Sequence, residues 1–215
     1  MLYGMSRKPG GGDERYEEIW RGWEMFSDFK TKTDLVRIGY KLKEKDLSLP
    51  EHQEISEAAY ENIRSFISLF YSNEEAVKAL ILTPIIVNVI KHLHGKYSVL
   101  YEEYIEADDN LKGRCDLIVS KVEEDDPNDT LGDHPIVVIE AKKKTVEEAL
   151  AQCAAELVAL HKLGKQVRYG VISTGDDWMF LEISPERQLV YQHDRKFYLP
   201  DIRRVANILL SMLTG

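Results

Sequence analysis

The chain has 215 residues, 44% hydrophobic and 30% charged, with a formal net charge of −9 at neutral pH. That balance fits an ordinary globular protein with one substantial core and an appendage. The longest apolar stretch, Leu80 to Ile90, contains Thr83, Pro84 and Asn88, which excludes a membrane-spanning helix.

Much of the acidity is local. Six acids and no base lie between Glu123 and Asp133, so only −3 belongs to the rest, and a positive groove remains compatible with the composition. The two cysteines, Cys115 and Cys153, lack any CxxC spacing and read as buried, reduced core residues. Met1 to Gly12 is glycine-rich, without the apolar core of a secretory signal, and reads as a disordered lead. An intracellular protein is expected, cytoplasmic or, in a eukaryote, nuclear.

From Asp13 to Phe29, Tyr16, Ile19, Trp20, Trp23 and Phe26 recur at helical spacing and form one sticky face, suited to core packing or, as the alternative, to base stacking. Thr33 to Lys43 is too mixed to assign. Ser48-Leu49-Pro50 breaks the pattern before a second helix, His52 to Tyr71, with the stripe Ile55, Ala59, Ile63, Phe66, Phe70. Residues 13–72 therefore read as an N-terminal helical extension, a lid or docking surface for a protein partner or a second copy.

Ser72 or Asn73 caps a third helix whose first turn carries Glu74 and Glu75, complementing the positive end of the helix dipole. It should reach about His94, kinked or split by Pro84. Strands follow at Ser98 to Ile105, Gly113 to Val122 and Pro135 to Lys142, with a surface excursion at Asp125 to Asp133. Thr145 and Glu148 have capping-box spacing ahead of a helix with the stripe Val146, Ala149, Leu150, Cys153, Leu157, Leu160, which Gly164 ends. Further strands are expected at Val167 to Thr174, Trp178 to Ile183 and Leu189 to Tyr191, then a helix at Ile202 to Leu213. The order describes an α/β protein with a central mixed β-sheet flanked by helices on both faces.

The run Ile136-Val137-Val138-Ile139 ends in Glu140-Ala141-Lys142. Strand side chains alternate, so Glu140 and Lys142 project from one side. Charges placed there are costly unless they are paired or bind a metal. Asp116 ends another polar start to an apolar run, Arg114-Cys115-Asp116-Leu117-Ile118-Val119. Magnesium takes oxygen ligands and keeps several waters, so Asp116, Glu140 and the Ala141 backbone carbonyl form a sufficient set. Lys142 would orient the attacking water or offset transition-state charge. Small Ala141 is expected to let the following helix approach the sheet closely. Gln152 falls on that helix in the row Thr145, Glu148, Gln152, Glu156. Arg114, Lys143 and Lys144 offer phosphate contacts, or are solvated edges. No HExxH, Walker, GxGxxG or GxSxG motif is present.

Asp116 with Glu140-x-Lys142 resembles the signature of the PD-(D/E)XK nuclease superfamily, over about residues 74 to 184. Asn73-Glu74-Glu75-Ala76-Val77, Leu80-Ile81-Leu82-Thr83-Pro84 and Tyr169 to Trp178 are similar to the branch that includes type I restriction subunits and Crinkler-type effector modules. The resemblance implies a restriction-endonuclease-like core over residues 73–215 and a Mg²⁺- or Mn²⁺-dependent endonuclease acting on DNA. It also implies Glu74 as the acid from the first core helix, with Glu75 as understudy, and Gln152 as support for the metal site. Cys115 stands where the motif's name has proline. The alternatives are a catalytically idle binding or effector module and an RNA-directed nuclease.

Overall fold

The computed structural model describes residues 25–67, 73–94, 96–122, 131 and 134–214. The expected lead, most of the aromatic helix (Tyr16, Ile19, Trp20, Trp23), Phe70, Ser72 and most of the acidic excursion lie outside them.

Eight strands form one mixed sheet: β1 (Lys41–Lys45), β2 (Lys96–Asp108), β3 (Leu111–Val122), β4 (His134–Ala141), β5 (Tyr169–Ser173), β6 (Asp177–Ser184), β7 (Leu189–His193) and β8 (Phe197–Tyr198). Their order is β1-β7-β6-β5-β4-β3-β2, with β8 against β6. β2, β3 and β4 run antiparallel, whereas β4 and β5 are parallel. A parallel pair needs a crossover, and the helix after Glu140-Ala141-Lys142 supplies it.

The helices are α1 (Glu57–Ile67), α2 (Glu74–Val77), α3 (Thr83–Ile90), α4 (Leu150–Lys162) and α5 (Ile202–Met212). On one face of the sheet, α4 packs with Phe26, Phe29 and Leu35 against Ile118, Val138 and Ile172. On the other, α1, α3 and α5 cover Leu117, Val119, Val137, Ile139 and Val171. α4 is apolar almost all round, as a helix enclosed in a core must be. Its close approach to the sheet depends on Gly170, where an added Cβ would stand 2.8 Å from Cys153 Sγ. Ala141 does not serve that purpose, because its methyl belongs to the opposite core. Both cysteines are buried and free.

Several local expectations are revised. Pro84 neither splits nor stops its helix: α2 continues into α3 through a π-helical turn, Lys78–Leu82. The Thr83 N–H reaches back to the Lys78 carbonyl, and this wider turn accommodates a residue without an N–H donor. Thr145 makes no capping bond and precedes a 3₁₀ turn, Val146–Ala149, so the capping box with Glu148 is not formed. Residues 33–43, unreadable from their pattern, hold a 3₁₀ turn ended by Gly39 in the left-handed region, then edge strand β1, which buries only Leu42. Within the expected N-terminal extension, Phe26, Phe29, Leu35 and Leu42 join the α4 core, and Ile55, Ala59 and Ile63 join the other. Among the described residues no helix is long and apolar enough to cross a membrane.

Candidate functional site

The inward-facing positions of β3 change parity at one residue. Leu111 and Cys115 face α4, yet Leu117 and Val119 face the opposite core, and Ile118 takes over the α4 side. β2 does the same, with Ile105 toward α4 but Tyr97 and Val99 toward the other layer. Perfect alternation would keep 115 and 117 on one face. Both strands therefore turn over between these residues, and Glu102 marks the place with φ +50. Glu102 and Asp116 are the residues skipped between the pairs Tyr101↔Leu117 and Glu103↔Cys115.

Asp116 consequently sits at this turnover, with partners on the neighbouring strand β4 and on the π turn of the layer opposite α4. Its Oδ2 accepts the Ala141 N–H at 2.8 Å, just past the last β3–β4 pair, Leu117↔Ile139. Its Oδ1 accepts from Lys78 Nζ at 3.2 Å, out of the π turn. A strand residue's N–H and C=O point to the same side, so the Ala141 carbonyl faces the Asp116 side as well. The Lys142 N–H goes the other way, to Ser173 O at 2.9 Å.

Glu140 projects toward α4 and is 1% exposed. Its Oε1 receives Lys142 Nζ at 2.6 Å and Gln152 Nε2 at 2.7 Å, while its buried Oε2 has no fixed donor and the Glu156 carboxyl, when protonated, is close enough to bond to Glu140. Burial first, and the Asp116 charge second, push the Glu140 carboxyl up to about 8, against the opposing influence of Lys142. Burial alone would lower the Lys142 ammonium, but Glu140 beside it, with Glu74 and Asp116 farther off, leaves it raised.

The sequence-derived set is thus joined as follows. Lys142 and Gln152 are bonded to Glu140, and Asp116 is bonded to the backbone of the next residue, Ala141, with its charge felt at Glu140 and Lys142. Glu74 is exposed in the first turn of α2, capped by Asn73 accepting from Ala76 N–H at 2.8 Å, and touches the network only through its field at Lys142. Arg114 is exposed, donates to the Glu102 carbonyl and lies 6.0 Å from the Tyr104 ring centre. Lys143 and Lys144 are exposed just past β4.

Two residues of the site, Glu156 and Lys78, were not assigned to it from the sequence. Glu156, fully buried, lies under Gln152, whose Nε2 also donates to its Oε1 at 3.1 Å. Burial, then Glu140, then Asp116 hold it well above the usual carboxylate range. Its signal was an acid amid Cys153-Ala154-Ala155 and Leu157-Val158-Ala159-Leu160. Lys78 is 5% exposed and pairs with Glu75 at 2.7 Å, with Glu102 and with Asp116. Its signal was a lysine in the helical row Lys78, Leu82, Ile85, Val89, where an apolar residue belongs.

Oxygen atoms that could hold a hard divalent cation are those of Glu140 and the Ala141 carbonyl, together with the Asp116 carboxylate, both of whose oxygens already accept hydrogen bonds. Glu140 Oε2 is a buried carboxylate oxygen with no fixed donor beside the Glu156 carboxyl, and the Ala141 carbonyl faces Asp116 beyond the paired strands. Among the described residues, the three His, Cys, Asp or Glu ligand atoms within 4.8 Å of one another belong instead to Asp46, His193 and Asp194. There His193 Nδ1 already accepts the Leu47 N–H at 3.2 Å, so its lone pair is taken. A wide groove of about 1190 Å³ opens at the far end of the sheet, lined by Lys45, Tyr97, Lys121, Arg168 and Tyr191 among others, and includes none of the acidic network.

The fold and site define an α/β protein with a buried acid–amine network at the meeting of β3 and β4. No protein-family model matches the chain, and no curated protein matches it.

Proposed function

We propose that this chain is a Mg²⁺- or Mn²⁺-dependent phosphodiesterase with a restriction-endonuclease-like core of the PD-(D/E)XK type, cutting within DNA. The observation that carries the reading is the convergence of Asp116 and Glu140 at the unpaired end of the β3–β4 seam, with Lys142 and Gln152 both bonded to Glu140 Oε1. The element order helix, three antiparallel strands, crossover helix, parallel strand supports it.

Asp116, Glu140 and the Ala141 carbonyl would hold the cation, which when bound supplies Lewis acidity at the scissile phosphate. Lys142, anchored on Glu140, is positioned to orient a water and to offset charge developing on the phosphate. Gln152, bonded to Oε1, holds the Glu140 carboxylate in place. Glu74 adds negative field at Lys142, while Arg114, Lys143 and Lys144 are exposed for phosphate contacts.

Purified protein with Mn²⁺ should nick supercoiled DNA, EDTA should stop it, and Glu140→Ala or Lys142→Ala should abolish it. Undiminished cleavage by both variants overturns the assignment. Matched DNA and RNA duplexes decide the substrate.

One observation favours a second reading, a catalytically idle module acting through a protein partner: Lys142 and Lys78 already neutralise Glu140 and Asp116. Calorimetry with Mg²⁺ and Mn²⁺ separates the two, since an idle cluster binds neither.

A further inference from the structure

Edge strand β1 reads Lys41-Leu42-Lys43-Glu44-Lys45, and strand alternation sorts its charges by face. Leu42 points into the α4 core, which puts Lys41, Lys43 and Lys45 on the opposite side and leaves Glu44 with Leu42. Tyr191 on the neighbouring strand β7 faces the lysine side, because Val190 next to it packs into the α4 core. Lys45 Nζ stands 5.0 Å from the centre of the Tyr191 ring, and Arg187, from the turn before β7, donates to the Tyr191 hydroxyl at 3.4 Å. Lys45, Arg187 and Tyr191 line the groove of about 1190 Å³, and Lys121, Arg168 and Tyr169 line it farther along.

These bases are largely uncommitted. Arg168 is paired with Glu182 at 2.9 Å, but among the described residues no ion pair holds Lys41, Lys43, Lys45, Lys121 or Arg187. The acids lining the groove are Glu182, held by Arg168, and Glu186, which accepts from the Ser184 hydroxyl at 3.3 Å. In a chain of net charge −9, five free cations on one side are a marked separation of charge. Edge-strand lysines also deter pairing with another sheet, but Arg187 and Lys121 lie off the edge strand and serve no such purpose.

The lining selects the partner. It contains none of the exposed large apolar side chains, so it offers no anchor to a bilayer or to the apolar face of a helix. Bases interleaved with Tyr97, Tyr169 and Tyr191 along a concave surface suit a chain of phosphates.

We propose that Lys41, Lys43 and Lys45 of β1, with Arg187 and Lys121, form a second nucleic-acid contact, a rail for the phosphate backbone of a strand, outside the Asp116–Glu140 cluster. The contact is electrostatic and needs no metal, so it stands or falls separately from the cleavage reading.

The test is fluorescence anisotropy of the full chain with labelled single-stranded and duplex oligonucleotides in EDTA, across a salt series. Two variants neutralise the rail, Lys43→Gln/Lys45→Gln and Lys121→Gln/Arg187→Gln, and Lys30→Gln/Lys32→Gln is the control of equal net charge. Each rail variant should weaken binding about tenfold at 0.1 M salt and flatten the plot of log affinity against log salt by about 1.4 for a single strand, with the control unchanged. Rail variants that match the control, or a wild type that binds neither oligonucleotide in EDTA, overturn the proposal. Displacement of the strand by poly-glutamate at matched charge, as readily as by unlabelled strand, would show a general acid-binding surface and overturn the nucleic-acid assignment. Loss of binding in the rail variants by a protein that cleaves nothing with Mn²⁺ supports the rail and removes only the metal-dependent reading.

Discussion

Glu102 and Asp116 face each other across β2 and β3 where both strands exchange one helical layer for the other. Glu102 achieves this with φ +50, a conformation that costs a residue with a Cβ about 1–2 kcal/mol. Two substitutions separate its backbone from its charge. Glu102→Ala loses the ion pair with Lys78 and keeps the strain, whereas Glu102→Gly loses the same ion pair and relieves it. Glu102→Gly should therefore be the more stable of the two by about 1 kcal/mol in urea unfolding. Equal midpoints, or a more stable alanine variant, would show that the backbone here is unstrained.

The raised Glu140 carboxyl has a defined sign in the pH dependence of stability. Its folded value of about 8 lies above the ordinary value of 4.5, so the folded protein binds the extra proton between them. Its contribution is complete below pH 4.5 and is lost as pH rises through 8. The slope for one proton is at most about 1.4 kcal/mol per pH unit. Glu140→Gln should flatten the metal-free stability profile between these limits. Thermal melts of both proteins across that range check it, and an unchanged slope refutes it.

Glu156 has no solvent and one orphaned oxygen, yet it adjoins Glu140. Neutral Glu156→Gln keeps the shape and removes a group that must either hold its proton or stay charged in a low-dielectric enclosure. At pH 8, metal-free Glu156→Gln should be more stable than wild type by about 1 kcal/mol, with the gap closing toward pH 5. A variant less stable than wild type at pH 8 would mean that the acid is compensated by a partner the orphaned oxygen conceals.

The central strands and their acids were legible because each signal is local. The apolar run into Glu140 and Lys142 fixes which face both occupy, and alternation alone puts them together. β1 was not, because an edge strand burying only Leu42 shows no alternation, and its parallel partner β7 lies almost 150 residues away. Lys78 and Glu156 were hidden for a different reason. Lys78 looks like a fault in its apolar row until the carboxylates that neutralise it, drawn from other elements, are known, and Glu156 looks like one more step of the polar row Thr145, Glu148, Gln152 until its full burial is seen. The parity change at Asp116 was equally invisible, since it depends on Glu102, an ordinary residue whose left-handed backbone no composition reveals.

Gly113 and Gly164 give a last contrast, between strain with and without collision. Both have positive φ, +147 and +78, so a side chain at either is strained. At Gly164, past the end of α4, nothing lies within 4 Å of an added Cβ, and Gly164→Ala should cost about 1 kcal/mol. At Gly113 the Cβ would stand 2.8 Å from the Phe26 backbone nitrogen and 3.0 Å from its ring. Backbone cannot swing aside as a side-chain tip can, and Phe26 is buried against α4. Gly113→Ala should therefore cost about 3 kcal/mol or more, by displacing the segment around Phe26 from the sheet. Urea midpoints rank the two, and faster proteolysis near residue 26 in Gly113→Ala alone identifies the cause. A Gly113→Ala protein as stable as Gly164→Ala would mean that this segment yields without loss, and that its packing on β3 contributes little to the fold.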